Sequence, residues 1–286
     1  MVHYQVSVVI PAKNEASTLE KLLPEIRALL PDAQLIVVND GSTDNTVGVC
    51  SQHNAHVLTQ PYSLGNGAAV KAGARLATGD IIVFMDADGQ HQPSDIPRLL
   101  EKLGRGYDMV VGARDNSSQA GIHRSFANKL YNRLASWVVA QPVVDLTSGF
   151  RAVNADKFRK FLYLLPNGFS YPTTITISFF RAGYPVAYVP IRVLKRNGKS
   201  HIRFMHDGIR FLLIIFKIGA LYSPLKIFFP VSLSFFVVGL TYYLYTFLAF
   251  ERFTNMSALL FIASMLVFLI GLVSEQITSL NYRDSE

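Results

Sequence analysis

Apolar and polar positions divide the chain into two regimes. Up to about Ser200, short apolar runs alternate with stretches of helical spacing; beyond Phe204 the chain turns strongly apolar. In the first regime, Val6–Ile10, Leu35–Val38, His56–Leu58, Asp80–Met85, Met109–Val111 and Val186–Val189 are short runs that predict strands. Ala16–Leu30 places Leu19, Leu22, Leu23, Ile26, Leu29 and Leu30 at helical spacing. Thr43–His53, Ala68–Ala77, Ile96–Leu103, Ile122–Val139 and a segment ending before Gly183 predict further helices. Arg114–Gly121 reads as a polar loop, Asp145–Phe150 as a connector and Arg192–His201 as a basic loop. Strands that alternate with helices imply βαβ units, an α/β fold and a mainly parallel sheet.

In the second regime, Ile227–Phe250 and Phe253–Ser274 carry no charged residue. At about 1.5 Å per residue, each is long enough to cross a hydrocarbon core of roughly 30 Å. Only Glu251 and Arg252 separate them, so they predict a tight transmembrane hairpin. Arg203, Asp207, Arg210 and Lys217 share one stripe of an otherwise apolar Arg203–Leu221, the pattern of a helix lying in the membrane interface. The organisation expected is a soluble α/β domain over 1–202, a juxtamembrane amphipathic helix over 203–223, a transmembrane hairpin over 224–281 and a tail over 282–286.

Charge sharpens this picture. The net charge is +7. Lys195, Arg196, Lys199, Arg203, Arg210 and Lys217 cluster just before the apolar tail, where a basic group is drawn to anionic headgroups at about 1 kcal/mol per charge. The same cluster puts that side of the hairpin inside, with both ends cytoplasmic and Tyr242, Tyr243 and Tyr245 toward the outer interface. No helix-turn-helix, zinc-finger or aromatic RNA-binding signature accompanies the basic residues, so no nucleic acid is expected. The single cysteine, Cys50, precludes an intrachain disulfide, and the N-terminus reads as a strand rather than a signal peptide.

Acidic residues follow the predicted strands directly. Asp86-Ala87-Asp88 comes after the buried run IIVFM and before the break Gly89-Gln90-His91-Gln92-Pro93. Two carboxylates at a strand end, with Gln90 as a further oxygen donor, suit Mg²⁺ or Mn²⁺ bound together with substrate phosphates. Asp40-Gly41-Ser42 also follows a strand, and its carboxylate suits a base N–H or a ribose hydroxyl. Pro11, Ala12, Asn14 and Glu15, at the end of the first strand, form the opposite wall. Gly65-Asn66-Gly67 leads into a helix N-terminus, which favours anions. Ligands of open α/β sheets bind beyond the carboxyl ends of the strands, so these groups line one crevice.

The motifs VSVVIPAKNE, VVNDGSTD, GNGAAVKAG, ATGDIIVFMDADGQHQP, VVGAR, DLTSGFRAV and RNGKSHIR occur in this order between residue 6 and about residue 203. Together they resemble family 2 glycosyltransferases with the A-type, Rossmann-like fold, in the dolichyl- or polyprenyl-phosphate sugar synthase branch. The resemblance implies inverting transfer of a hexosyl group from a UDP- or GDP-sugar to undecaprenyl or dolichyl phosphate at the cytoplasmic membrane face of a bacterium. It implies that Pro11, Ala12, Glu15 and Asp40 hold the nucleotide, that Asp86, Asp88 and Gln90 hold the metal and diphosphate, and that Arg114 and Arg124 meet phosphate groups. Asp145 stands where the acceptor approaches the anomeric carbon, as an orienting residue or as a base. Arg196, Lys199 and Ser200 fall in the acceptor-phosphate loop, where His201 replaces the lysine of the branch. Members of that branch can assemble through the membrane segment. A processive polysaccharide synthase would carry Q-x-x-R-W, and the only tryptophan, Trp137, lies in LASWVV. Transfer to another lipid such as diacylglycerol, and a non-catalytic sugar-nucleotide-binding scaffold, are the remaining alternatives.

Overall fold

The structure is a computed structural model that describes residues 4–114, 122–168, 170–193, 219–220 and 223–283, excluding the side chains of 122–128 and 281–283. The basic loop beyond residue 193, most of the amphipathic segment 203–223 and residues 115–121 lie outside the described residues. The chain divides into two compact units, Met1–His201 and Ile202–Glu286.

The first unit is built on one seven-stranded sheet in the order β3-β2-β1-β4-β6-β5-β7. Its strands are β1 (Val6–Ala12), β2 (Gln34–Asn39), β3 (His56–Thr59), β4 (Ile81–Phe84), β5 (Met109–Arg114), β6 (Arg151–Asn154) and β7 (Val186–Ile191). The helices are α1 (Ala16–Leu29), α2 (Thr46–Gln52), α3 (Asn66–Leu76), α4 (Ile96–Leu103), α5 (Ile122–Val139), α6 (Ala155–Arg159) and α7 (Tyr171–Arg181). β1 to β4 run parallel, as do β5 and β7. β6 alone is antiparallel, to β4 on one side and β5 on the other. The fold is therefore the mixed α/β, A-type sheet expected, with one reversed strand that periodicity did not reveal. Arg-Ala-Val-Asn is too short and too polar at its ends to signal a strand. The five-residue α6 that follows was also missed; Asn154 caps it by accepting from the Lys157 amide at 3.1 Å.

The central strands are buried on both faces, so they read as continuous apolar runs rather than alternating ones. Val8, Val9 and Ile10 of β1 and Ile36, Val37 and Val38 of β2 are wholly buried. α1 seals one face with Leu19, Leu22, Leu23 and Ile26; of the predicted stripe, Leu29 is instead 41% exposed and Leu30 lies just past the helix end. β1 and β5 each run past their predicted ends, so Pro11, Ala12 and Arg114 belong to strands and are fixed by the ladder.

The second unit is a helical hairpin of α8 (Pro224–Phe250) and α9 (Asn255–Arg283). Both helices are long and apolar enough to cross a membrane, and only 11% and 17% of their most apolar windows is buried. The core helix of a soluble protein would instead be mostly covered. Glu251 turns the chain between them in the left-handed region, at φ 50°. Their shared seam is written in small residues at seven-residue intervals: Ser232, Gly239 and Thr246 face Ser257, Ser264, Gly271 and Thr278, all buried. Small side chains let backbones approach closely where no water drives helices together. Ser232 and Ser264 each donate to the other's carbonyl at 2.9 Å.

Candidate active site

The sheet topology assembles the site. Six strands end at one edge of the sheet, and because β6 runs the other way its first residue lies at that same edge. The residues after β2 and β4, the end of β5 and the segment leading into β6 therefore meet there.

Asp86 and Asp88 sit just beyond β4, partly buried, with Ala87 packed inward between them. The Asp88 carboxylate accepts from the Gln90 amide at 3.1 Å, which closes the turn after the triplet. Asn66, the first residue of α3, hydrogen-bonds Asp86. Burial pushes the Asp86 carboxyl above its ordinary range; His91 opposes this, the charge of Asp88 adds to it, and Asn66 and Arg151 oppose it. His91 is buried, stacks on Phe150 with ring centroids 5.1 Å apart, and its Nδ1 has no partner among the described residues. Burial pushes its imidazole pKa down. Gly149 completes this corner. A Cβ there would lie 2.6 Å from Asp86 Oδ2, so only glycine leaves the carboxylate its space.

Next to it stands an ion pair. The Arg114 guanidinium grips Asp145 with Nε to Oδ2 and Nη2 to Oδ1, both 2.8 Å. The Arg114 and Thr147 amides donate to the same carboxylate at 3.1 Å, and Arg114 Nη2 also reaches Thr147 Oγ1. Burial alone would raise the Asp145 pKa; the fork of Arg114 and the two amides outweigh it and hold the carboxyl below its usual range. A carboxylate so occupied is a weak proton acceptor. Arg124 lies in the first turn of α5 with its side chain outside the described residues, as are Arg196, Lys199 and Ser200.

The nucleotide-side residues form a second group on the same edge. Both oxygens of buried Asp40 are engaged, by Ser63 Oγ at 2.7 Å, the Leu64 amide at 2.6 Å and the Gly65 amide at 3.1 Å. Asp40 thus shapes the turn into α3, where Gly65 holds φ 100°. Asn14, itself left-handed at φ 57°, accepts from the Thr43 amide at 2.8 Å and donates its own amide to Ser42 Oγ at 2.9 Å. Glu15 donates its amide to Thr46 Oγ1 at 3.3 Å. The loops after β1 and β2 are in this way tied together beside Pro11 and Ala12.

Asp86 and Asp88 share one corner, and neither is in an ion pair among the described residues. No cluster of three or more His, Cys, Asp or Glu groups able to hold a metal occurs among the described residues. The donor set is two carboxylates with Gln90 beside them. Such hard oxygens fit a divalent cation that draws the rest of its shell from water and phosphate. The sequence offered Asn66 only as part of a helix start that favours anions, and gave no separate role to Thr147, Gly149 or the fully buried Arg151, which also shape this corner.

The fold is that of a glycosyltransferase. The model for Glycosyl transferase family 2 matches residues 7–162, more than half the chain, and the protein belongs to that family. The GtrB C-terminal hairpin model matches residues 223–280. Among relatives, an undecaprenyl-phosphate mannosyltransferase of Micrococcus luteus is 33% identical, over 68% of this chain and 86% of its own. Glycosyltransferase AglJ of Haloferax volcanii is 27% identical, over 96% of this chain and 94% of its own. Among solved structures, glucosyl-3-phosphoglycerate synthase from Mycobacterium tuberculosis, in complex with Mn²⁺, UDP and glucosyl-3-phosphoglycerate, superposes with a TM-score of 0.59 at 25% identity, over 74% of this chain and 80% of its own.

Proposed function

We propose that this glycosyltransferase moves a hexosyl group from a UDP- or GDP-sugar to a polyprenyl phosphate at the cytoplasmic face of a membrane, with inversion. One observation carries the reading: an acidic corner with no ion-pair partner among the described residues, Asp86 with Asp88, stands beside an arginine held by a carboxylate, Arg114 with Asp145, in a chain that also carries an apolar hairpin. The first suits a nucleoside diphosphate bound through a cation, and the second suits a phosphate acceptor.

Asp86, Asp88 and Gln90 would hold Mg²⁺ or Mn²⁺. When bound, the cation neutralises charge that gathers on the diphosphate as the glycosidic bond breaks. Pro11, Ala12, Asn14 and Glu15 wall the nucleotide, and Asp40 keeps the turn beside it in place. The acceptor needs little help with its proton. A phosphate monoester has a second pKa of about 6 and is mostly dianionic at neutral pH. What it requires is desolvation and aim. Arg114 supplies a guanidinium fixed by Asp145, and Arg124 with Arg196, Lys199 and Ser200 supplies further donors to the acceptor phosphate. Asp145 is then an orienting residue, because its lone pairs are already given to Arg114 and two amides. A diacylglycerol hydroxyl would need a true base, and Asp145 is ill suited to that. The hairpin anchors the chain in the bilayer that holds the acceptor, since a polyprenyl chain leaves the bilayer only at great cost.

The test is a donor screen. Full-length protein in detergent is given undecaprenyl phosphate, Mg²⁺ or Mn²⁺ and radiolabelled UDP- and GDP-hexoses. Label in the lipid extract that is lost with EDTA supports the reading. No labelled lipid with any donor refutes it.

A further inference from the structure

Among the described residues, Arg151 is the largest fully buried side chain, yet it makes no ion pair there. A charge taken out of water at no salt-bridge contact is costly and rare. Its partners are neutral. Nη1 donates to the Pro172 carbonyl at 3.2 Å and to Thr176 Oγ1 at 3.1 Å, both on α7, and Nη2 donates to the Ser148 carbonyl. The Nε–H has no acceptor among the described residues, and the guanidinium carbon lies 5.9 Å from the centre of the Tyr171 ring. Arg151 opens β6, opposite Phe84 of β4 and Val111 of β5. It thus stands between the strand that delivers Asp86 and the strand that delivers Arg114. The carboxylates of Asp145 and Asp86 act on its charge through space without touching it.

The carbonyls beside it are held as well. Tyr171 Oη donates to the Gly149 carbonyl at 3.4 Å, and Gly149 lies directly against Asp86. The segment from Asp145 to Phe150 is therefore pinned at Ser148 by Arg151, itself tied to α7, and at Gly149 by Tyr171 of α7, with Asp145 at one end and the His91 stack at the other.

Resting on the transferase reading above, we propose that Arg151 is a positioning residue that fixes the Asp145–Phe150 segment, and so sets the Arg114–Asp145 pair against the Asp86 corner. The fork is essential to that role. A lysine at 151 keeps the charge, but its single ammonium cannot bridge Ser148 on one side and Pro172 with Thr176 on the other. Donor binding rests on residues after β1 and β2 and on Asp86, Asp88 and Gln90, none of which Arg151 hydrogen-bonds, and should survive the change, whereas turnover depends on the distance between the Arg114–Asp145 pair and that corner.

The experiment compares full-length wild type, Arg151→Lys and the near-isosteric Tyr171→Phe, which leaves every charge in place. UDP and GDP binding is measured by calorimetry and kcat with the donor that wild type uses. Amide exchange of residues 146–150 is followed by mass spectrometry. The expected result for Arg151→Lys is nucleotide affinity within threefold, kcat down at least tenfold, and faster exchange confined to 146–150; Tyr171→Phe moves in the same direction by less. Unchanged kcat per nucleotide-binding site overturns the proposal. So does a parallel fall in binding and kcat in both variants, which is the mark of a merely structural arginine. If wild type transfers to no lipid phosphate, the transferase reading fails, while localised exchange in both variants still upholds the clamp and unaltered exchange overturns it.

Discussion

Replacing Asp145 by asparagine keeps its shape and removes one of two acceptor oxygens. The carboxylate now serves Arg114 Nε and Nη2 at 2.8 Å and the amides of Arg114 and Thr147 at 3.1 Å, at least two donors to each oxygen, with the Thr147 hydroxyl a third at Oδ1. An asparagine therefore strands two donors, and its own amide points at a guanidinium. Each hydrogen bond to a charged group contributes about 1.5–3 kcal/mol. The Arg114 side chain is 29% exposed, so water recovers part of this, and a net loss of about 2–3 kcal/mol is expected. For a unit of this size that lowers the melting temperature by about 5–10 °C. If all of it falls on the orientation of Arg114, kcat drops up to about a hundredfold, at 1.36 kcal/mol per decade. Turnover of the full-length enzyme at several pH values gives the decisive readout. The folded pKa of Asp145 lies below its unfolded value, so its contribution is present above about pH 4 and is lost as pH falls through the lowered value. The wild-type rate should then carry no inflection from Asp145 near neutrality. A wild-type rate climbing about tenfold per unit between about pH 5 and 7, and flat in Asp145→Asn, would make Asp145 a general base and refute the orienting role.

Three further outcomes follow from the same geometry. Asp86→Asn should raise the melting temperature of the metal-free protein at pH 7, because a raised folded pKa stabilises only below the unfolded value and is lost as pH rises through the folded one; the same variant should lose cation-dependent nucleotide affinity by at least about tenfold. Gly149→Ala sets a methyl 2.6 Å from Asp86 Oδ2 and should cut turnover while leaving unfolding of the hairpin unchanged, measurable by kinetics and by thermal melts in detergent. Gly239→Leu should force α8 and α9 apart, since even a Cβ there would lie 3.0 Å from Leu260 Cβ; loss of a disulfide between cysteines placed at Ser232 and Ser264 would report it, and unimpaired crosslinking would contradict the seam.

Local pattern alone carried the strands β1, β2, β4 and β5, the α1 stripe and the two long apolar helices. Each of these buries a whole face against one environment, core or bilayer, and leaves a regular period in the residues. The acidic residues after β2 and β4 were legible for the same reason: a polar residue directly beyond a buried strand has reached the sheet's edge. The small-residue heptads of the hairpin were present as a period too, but they gain meaning only when two helices face each other. What the tertiary structure decided was which edge groups meet. A four-residue strand with a charge at its start has no period of its own, and its direction is set by its neighbours' hydrogen bonds. By running against the other six, β6 brings Asp145, Gly149 and Arg151 to the carboxyl ends of β4 and β5. The pairing of Arg114 with Asp145, the seat of Gly149 on Asp86 and the burial of an arginine without a carboxylate are long-range contacts, set by geometry that no stretch of sequence contains.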